Sequence, residues 1–173
     1  MEPDNEVQLS LLRELDRILR RAHIRYWLRG GWALDFLLGE ITRQHGDIDL
    51  VIWKRHAGRV QRVLREARYA GEHTTMPATD AKFSKRGQDI SVLFIERGQP
   101  GMLATAGFKD SRWSEDVLRG RGCLADLTCR VISARGLLEE KEKTPGWLGR
   151  PVRDKDIESM ALLQQLIREG ALT

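Results

Sequence analysis

The amino-acid sequence predicts an α+β fold, a mixed sheet flanked by helices with a C-terminal helical segment. Three observations carry that expectation. Apolar residues recur at helical spacing at the start of the chain, between strands and again at its end. Short runs rich in branched and aromatic residues alternate with those helices. Glycines and prolines punctuate the joints.

Residues 6–23 form the first expected helix, with Val7, Leu11, Leu12, Leu15, Ile18, Leu19 and Ala22 on one face. Arg13, Arg17, Arg20 and Arg21 fall off that face and read as a solvated row rather than a nucleic-acid groove. Ile24 to Leu28 is a short strand ended by Gly30-Gly31, and Trp32 to Leu38 is a helix stopped by Gly39. After a polar connection over 40–46, Ile48 to Trp53 is a strand and His56 to Ala67 a helix. Strands follow at Tyr69–Thr74, Ala81–Ser84 and, past a turn at Gly87, Asp89–Ile95. Residues 97–122 are glycine-rich and are expected to be loops. Leu124 to Ile132 reads as a last strand. Ser133 caps a helix running to about Lys143, residues 144–151 form a linker, and a final helix runs from Asp154 to Glu169.

The 173 residues suit one domain with a small helical annex, and 41% hydrophobic content supports a packed core rather than disorder. A net charge of +4 favours polyanionic partners, nucleotides among them. Cys123 and Cys129 lack the spacing of a zinc site or a disulfide framework and read as small buried thiols. No apolar run resembles a signal peptide or reaches membrane-spanning length, so a soluble, cytoplasmic protein is expected.

The chemistry concentrates in two segments. Asp47 and Asp49 stand at i and i+2 on a strand, so both carboxylates share a face while Ile48 and Leu50 point into the core. Neighbouring carboxylates repel, and a hard divalent cation resolves that; Mg²⁺ takes one or two carboxylates together with substrate phosphates. Gly30 and Gly31 lie at a strand-to-helix junction, where glycine permits close backbone approach and the helix start offers free N–H groups to phosphate. Arg29 and Arg43 flank the segment and supply positive charge. Each half of the pattern is common alone, and the combination carries the signal. Nucleotidyl transfer needs a third acid, and Asp89, which opens an apolar strand, is the best placed for it, ahead of Asp80 and Glu96.

The segment GGWALDFLLGEITRQHGDIDLVI, residues 30–52, resembles the antibiotic nucleotidyltransferases of the polymerase-beta superfamily. It is most similar to the aminoglycoside 2''-nucleotidyltransferases and the lincosamide nucleotidyltransferases, and Trp32, where the wider superfamily has serine, fits that branch. The resemblance implies a nucleotidyltransferase (polymerase-beta-like) fold, with a catalytic domain over 1–132 and a helical segment over 133–173 packed on it. It implies transfer of a nucleoside monophosphate from ATP, or another nucleoside triphosphate, to a hydroxyl of a small antibiotic, with two Mg²⁺ ions. Asp47, Asp49 and Asp89 then hold metal, and Asp89 is the general base. Gly30, Gly31, Arg29 and Arg43 face the triphosphate with a lysine of the C-terminal part, Lys155, Lys141 or Lys143.

The acceptor is not legible. Asp110, Glu115, Asp116 and Asp126 would suit a polycationic aminoglycoside, but Arg112, Arg119, Arg121 and Arg130 lie among them. Trp113 and Trp147 would suit a lincosamide. A toxin-like or regulatory nucleotidyltransferase acting on protein or tRNA is an alternative, and a non-catalytic nucleotide-binding module is a second.

Overall fold

A computed structural model describes residues 3–170, apart from the side chains of 108–111. The chain begins with α1 (Asn5–Arg21), whose start is capped by the Asp4 carboxylate accepting from the backbone N–H groups of Glu6 and Val7. Leu11, Leu12, Leu15 and Leu19 form its fully buried stripe. Next come β1 (Tyr26–Arg29), α2 (Gly30–Leu38), β2 (Asp47–Trp53) and, after a 3₁₀ turn over Lys54–His56, α3 (Ala57–Glu66). The strands β3 (Ala70–Glu72), β4 (Asp80–Lys85), β5 (Gln88–Arg97), β6 (Met102–Thr105) and β7 (Phe108–Ser114) follow. A 3₁₀ turn over Glu115–Arg119, the hairpin β8 (Arg121–Leu124) and β9 (Leu127–Arg130), then α4 (Ala134–Leu148) and α5 (Asp154–Arg168) complete the described chain.

The main sheet runs β1-β2-β5-β4-β3, and β6 extends it from the end of β5 with β7 beside it. The β2–β5 pair is parallel and the other pairs are antiparallel. The two parallel strands alternate at their starts, and β2 is buried on both faces from Leu50 onward. Ile48, Leu50, Ile52, Ile90, Val92 and Phe94 are fully buried, whereas Asp47 and Asp89 at the strand starts are exposed. Leu137 of α4 and Leu163 of α5 join the same core as the sheet, so the helical pair is packed on the sheet layer rather than set apart from it. Among the described residues no helix is long and apolar enough to cross a membrane.

The structure departs from the sequence expectation in three places. Residues 97–122 are not loops; they hold the β6–β7 ladder, with Leu103 opposite Trp113 and both buried. Gly101 and Gly107 serve turns there, both with positive φ. The expected strand over 124–132 is split into a hairpin, with Ala125 at φ +52° in the turn. Finally, α4 continues through Pro145 and Gly146 and stops only at Gly149, which takes the left-handed conformation at φ +60°. Cys129 is buried against the Tyr26 hydroxyl as expected, but Cys123 is exposed.

Candidate active site

The parallel pairing of β2 with β5 sets Asp47 directly opposite Asp89, and Asp49 opposite Ser91. Register partners project to the same face, so Asp47, Asp49 and Asp89 share one side of two adjacent strands. On the other edge of β2, the antiparallel register puts Arg29 opposite Asp49. This acidic face arises because Asp47 and Asp49 in β2 and Asp89 in β5 alternate with the buried Ile48, Leu50, Gln88 and Ile90.

Its carboxylates differ in environment. Burial is the largest influence on Asp49 and pushes its pKa up to about 6; the Arg29 charge opposes this, and the negative charge of Asp47 adds to it. Arg29 is half-buried, which works against its charge, yet Glu140, Asp49 and Asp47 hold its guanidinium pKa above the ordinary arginine range. Glu140, on α4, accepts from Arg29 directly and ties that helix to the end of β1.

The glycine junction is built by close approach. Gly30 has φ +68°, and a Cβ there would lie 2.6 Å from Asp49 Oδ2. A Cβ on Gly31 would lie 2.4 Å from His45 Nδ1 and 2.6 Å from an Arg43 guanidinium nitrogen. The pair therefore lets the start of α2 press against the Asp49 carboxylate on one side and the 40–46 connection on the other.

That connection is fixed by a buried polar network. His45 Nε2 meets Asp35 Oδ2 at 2.5 Å, and Asp35 also accepts from the Thr42 hydroxyl at 2.7 Å and the Thr42 N–H at 3.2 Å. Trp32 Nε1 donates to Gln8 Oε1 at 2.7 Å, and Gln8 Nε2 donates to the His45 carbonyl at 3.0 Å and to Gln88 Oε1 at 2.9 Å. Asn5 accepts from the His45 N–H at 2.9 Å and donates to the Arg43 carbonyl at 2.8 Å. Gln8, Asp35, His45 and Gln88 are all almost wholly buried. The Trp32, Asp35, Thr42 and His45 positions of the motif thus act by holding the chain just before Asp47, and Gln88 does the same just before Asp89.

A cleft opens from Gly30 and Asp49 towards the helical pair. Its lining comprises Arg29, Gly30, Asp49, Leu137, Glu140, Lys141, Thr144, Arg150, Arg153 and Asp156. On the far wall Asp156 is buried and gathers three cations, Lys141 at 3.3 Å, Arg150 at 3.5 Å and Arg153 at 2.7 Å. The Arg153 hydrogen bond is the main cause that holds the Asp156 carboxyl well below the usual carboxylate range, against the effect of burial. Burial lowers the Lys141 pKa, and Asp156 counters it.

The sequence-predicted residues are thus only partly brought together. Asp47, Asp49, Asp89, Arg29, Gly30 and Gly31 meet at one end of the β2–β5 pair, and Arg43 lies over Gly31. Lys155 is exposed on α5 and does not line the cleft, whereas Lys141 does; Lys143 pairs with Glu139 on the surface. Glu115, Asp116 and Asp126 are engaged with Arg97, Arg119 and Arg13 respectively, away from the cleft lining. The Asp110 side chain lies outside the described residues. Asn5, Gln8, Gln88, Glu140, Thr144, Arg150, Arg153 and Asp156 were not singled out for these contacts by sequence. Gln8 carried a signal as a polar residue on the apolar stripe of α1, and Arg150, Arg153 and Asp156 lie in the 149–153 run and the Lys155-Asp156 pair, which loosely resemble the C-terminal part of the antibiotic nucleotidyltransferases.

Among the described residues no three His, Cys, Asp or Glu side chains are grouped closely enough to hold a metal ion by themselves. The donor set nevertheless suits magnesium, a hard ion that takes one or two carboxylates and completes its shell with phosphate oxygens and water.

The aminoglycoside-2''-adenylyltransferase family model matches residues 11–163. A lincosamide resistance protein of Staphylococcus haemolyticus is 33% identical over 78 residues, 45% of this chain and 48% of that protein. A 2''-aminoglycoside nucleotidyltransferase of Escherichia coli is 32% identical over 57 residues, 33% of this chain and 32% of that protein. The matched stretch therefore spans about half the length of the first relative and about a third of the second. The lincomycin-bound structure of the lincosamide antibiotic adenylyltransferase LnuA has a TM-score of 0.72 at 19% identity, covering 95% of this chain and 98% of that one. The structure of ANT(2'')-Ia in complex with adenylyl-2''-tobramycin has a TM-score of 0.73 at 17% identity, covering 95% and 92%. These likenesses establish the nucleotidyltransferase fold. With the family model matched from the first helix through most of the last, the chain belongs to the aminoglycoside-2''-adenylyltransferase family.

Proposed function

We propose that this protein is a magnesium-dependent nucleotidyltransferase that moves a nucleoside monophosphate from ATP, or another nucleoside triphosphate, to a hydroxyl of an aminoglycoside or lincosamide in the cytoplasm. The observation that carries the reading is the parallel register that sets Asp47 beside Asp89, with Asp49 on the same face at the mouth of a cation-lined cleft. The lincosamide and aminoglycoside relatives support both acceptor classes, and the adenylyl-2''-tobramycin bound in one structural neighbour supports ATP as donor. Residues 1–132 would form the catalytic domain, and 133–173 the helical segment that completes the cleft.

Asp47, Asp49 and Asp89 would hold two magnesium ions, which supply charge neutralisation on the triphosphate and activation of the attacking hydroxyl. The chain's own residues do the rest. The open backbone at Gly30 and Gly31 lets the triphosphate approach the start of α2, where N–H groups and the helix dipole favour negative charge. Arg29, fixed by Glu140, and Arg43, over Gly31, add positive charge on that side. Asp89, exposed at the start of β5, accepts the proton of the acceptor hydroxyl as its oxygen attacks the α-phosphorus and pyrophosphate leaves. Catalysis is then mostly positioning and charge stabilisation.

The test is transfer of label from α-³²P-ATP to a panel containing lincomycin, tobramycin, total tRNA and cell lysate, with and without Mg²⁺. Magnesium-dependent label on a drug supports the reading. Label confined to tRNA or lysate protein would replace the acceptor, and ATP binding without any transfer would remove the activity.

A further inference from the structure

We propose that Asp156 is a positioning residue for the triphosphate: it gathers Lys141, Arg150 and Arg153 into one cationic wall that receives the β- and γ-phosphates opposite Gly30. The inference rests on the nucleotide reading above and extends it to residues on the other side of the cleft. Lys141 comes from α4, Arg150 from the connection, and Arg153 from the N-cap position just before α5, so no single element creates the cluster. One carboxylate meets three cations, which leaves an excess of positive charge on this wall. The opposite wall carries Asp49, with Asp47 and Asp89 beside it on the same face of the sheet, while Arg29 and Glu140 neutralise each other within the cleft. A cleft with one acidic and one cationic wall matches a metal-bound triphosphate, whose cations and phosphate oxygens present the two opposite charges.

Asp156 is suited to arrange this wall. It sits in the first turn of α5, where the helix dipole favours an acid, and its carboxylate takes two nitrogens of Arg153 at 2.7 and 3.1 Å. Its own side chain is 4% exposed, whereas those of Arg150 and Arg153 are 27% and 48% exposed. The acid is therefore hidden behind the cations it holds, and Arg150 and Arg153 are the more exposed of them, Lys141 being 14% exposed. Without it, three like charges would repel and turn towards solvent.

The two possible roles of the acid predict opposite signs. If Asp156 merely added negative charge near the phosphates, Asp156→Asn would tighten triphosphate binding. If it positions the wall, the same change weakens it. Calorimetric titration with Mg²⁺ and α,β-methylene-ATP, with pyrophosphate and with AMP separates these, alongside thermal melts of each variant. For Asp156→Asn we expect about tenfold weaker binding of the triphosphate analogue and of pyrophosphate, with AMP changed by less than about twofold. Asp156→Glu recovers part of the loss. Arg153→Gln and Arg150→Gln, on more exposed side chains, give the same selective loss at a smaller size, and they decide the matter if Asp156→Asn does not fold. Unchanged or tighter triphosphate binding, or an equal loss for AMP, overturns the positioning role. Failure of the unaltered protein to bind the triphosphate analogue overturns the nucleotide reading itself.

Discussion

Asp49 and Asp156 face the same cleft from opposite walls, yet the protein drives them in opposite directions. Asp49, on the strand wall, is desolvated and sits beside Asp47, so its pKa rises to about 6 although Arg29 opposes the change. Asp156, on the helical wall, is held far below its ordinary value, chiefly by its hydrogen bond to Arg153. Residue type is the same, and partners decide the outcome. The strand wall concentrates negative charge that a cation must balance. The helical wall starts with its acid already outnumbered, which leaves it free to meet an anion.

If this division is right, the strand wall is where substitutions cost most. Removing Mg²⁺ with EDTA, or replacing Asp47 with Asn, is expected to lower label transfer by about a thousandfold; near-full activity in Asp47→Asn would mean that the metal lies elsewhere. Asp89→Ala should lose about 10²–10⁴ in rate while retaining binding of the triphosphate analogue, as expected for loss of a general base. Full activity in that variant would remove Asp89 from the proton transfer.

Gly30→Ala sharpens the comparison at the hinge between the walls. The left-handed backbone costs about 1–2 kcal/mol for a residue with a side chain, and the added methyl also displaces Asp49 Oδ2. Both a lower melting temperature and a loss of transfer are therefore expected, and unchanged values for both would contradict the packing described. By contrast, His45→Ala acts through the support beneath the strand wall. It leaves the Asp35 carboxylate short of a partner, which should cost about 1–3 kcal/mol in urea unfolding, with triphosphate affinity changed less than in Gly30→Ala.

The smallest effect is on the pH dependence of stability, measured without metal. Asp49 binds its proton more tightly in the folded state than in the unfolded chain. Its contribution is thus fully present below the unfolded value near 3.8 and is lost as pH rises through about 6. Asp156 has the opposite sign: its contribution is present above 3.8 and is lost as pH falls below that value. Urea midpoints should therefore decline between pH 4 and 6 in the unaltered protein. Asp49→Asn should flatten that decline, and an unchanged profile would show that Asp49 titrates normally.

The two walls also differ in how far they could be read from sequence. Strand alternation is a short-range rule, so Asp47 and Asp49 reveal their common face without any tertiary information, and the Gly30-Gly31 pair marks its own turn. Asp89 showed as the acid that opens an apolar strand and matched the position of the family's third acid, but the parallel register that sets it beside Asp47 is a tertiary fact. The helical wall has no such rule. Lys141, Arg150, Arg153 and Asp156 converge only because α4 and α5 pack together, and surface lysines such as Lys155 look identical to Lys141 in a sequence. The end of α4 was misplaced because Pro145 and Gly146 ordinarily stop helices, whereas here Gly149 does. Residues 97–122 were hidden for a related reason: closely spaced glycines serving short turns outweighed the brief apolar pairs of β6 and β7.

The measurement that bears most directly on the two-walled cleft is a paired titration of α,β-methylene-ATP with Mg²⁺ into Asp89→Ala and Asp156→Asn, with label transfer to lincomycin and tobramycin measured in the same preparations. The account predicts that Asp89→Ala binds the analogue but fails to transfer, while Asp156→Asn binds it weakly and transfers at high ATP. If Asp156→Asn binds the analogue as well as the unaltered protein, or if the unaltered protein transfers to neither drug, the account is contradicted.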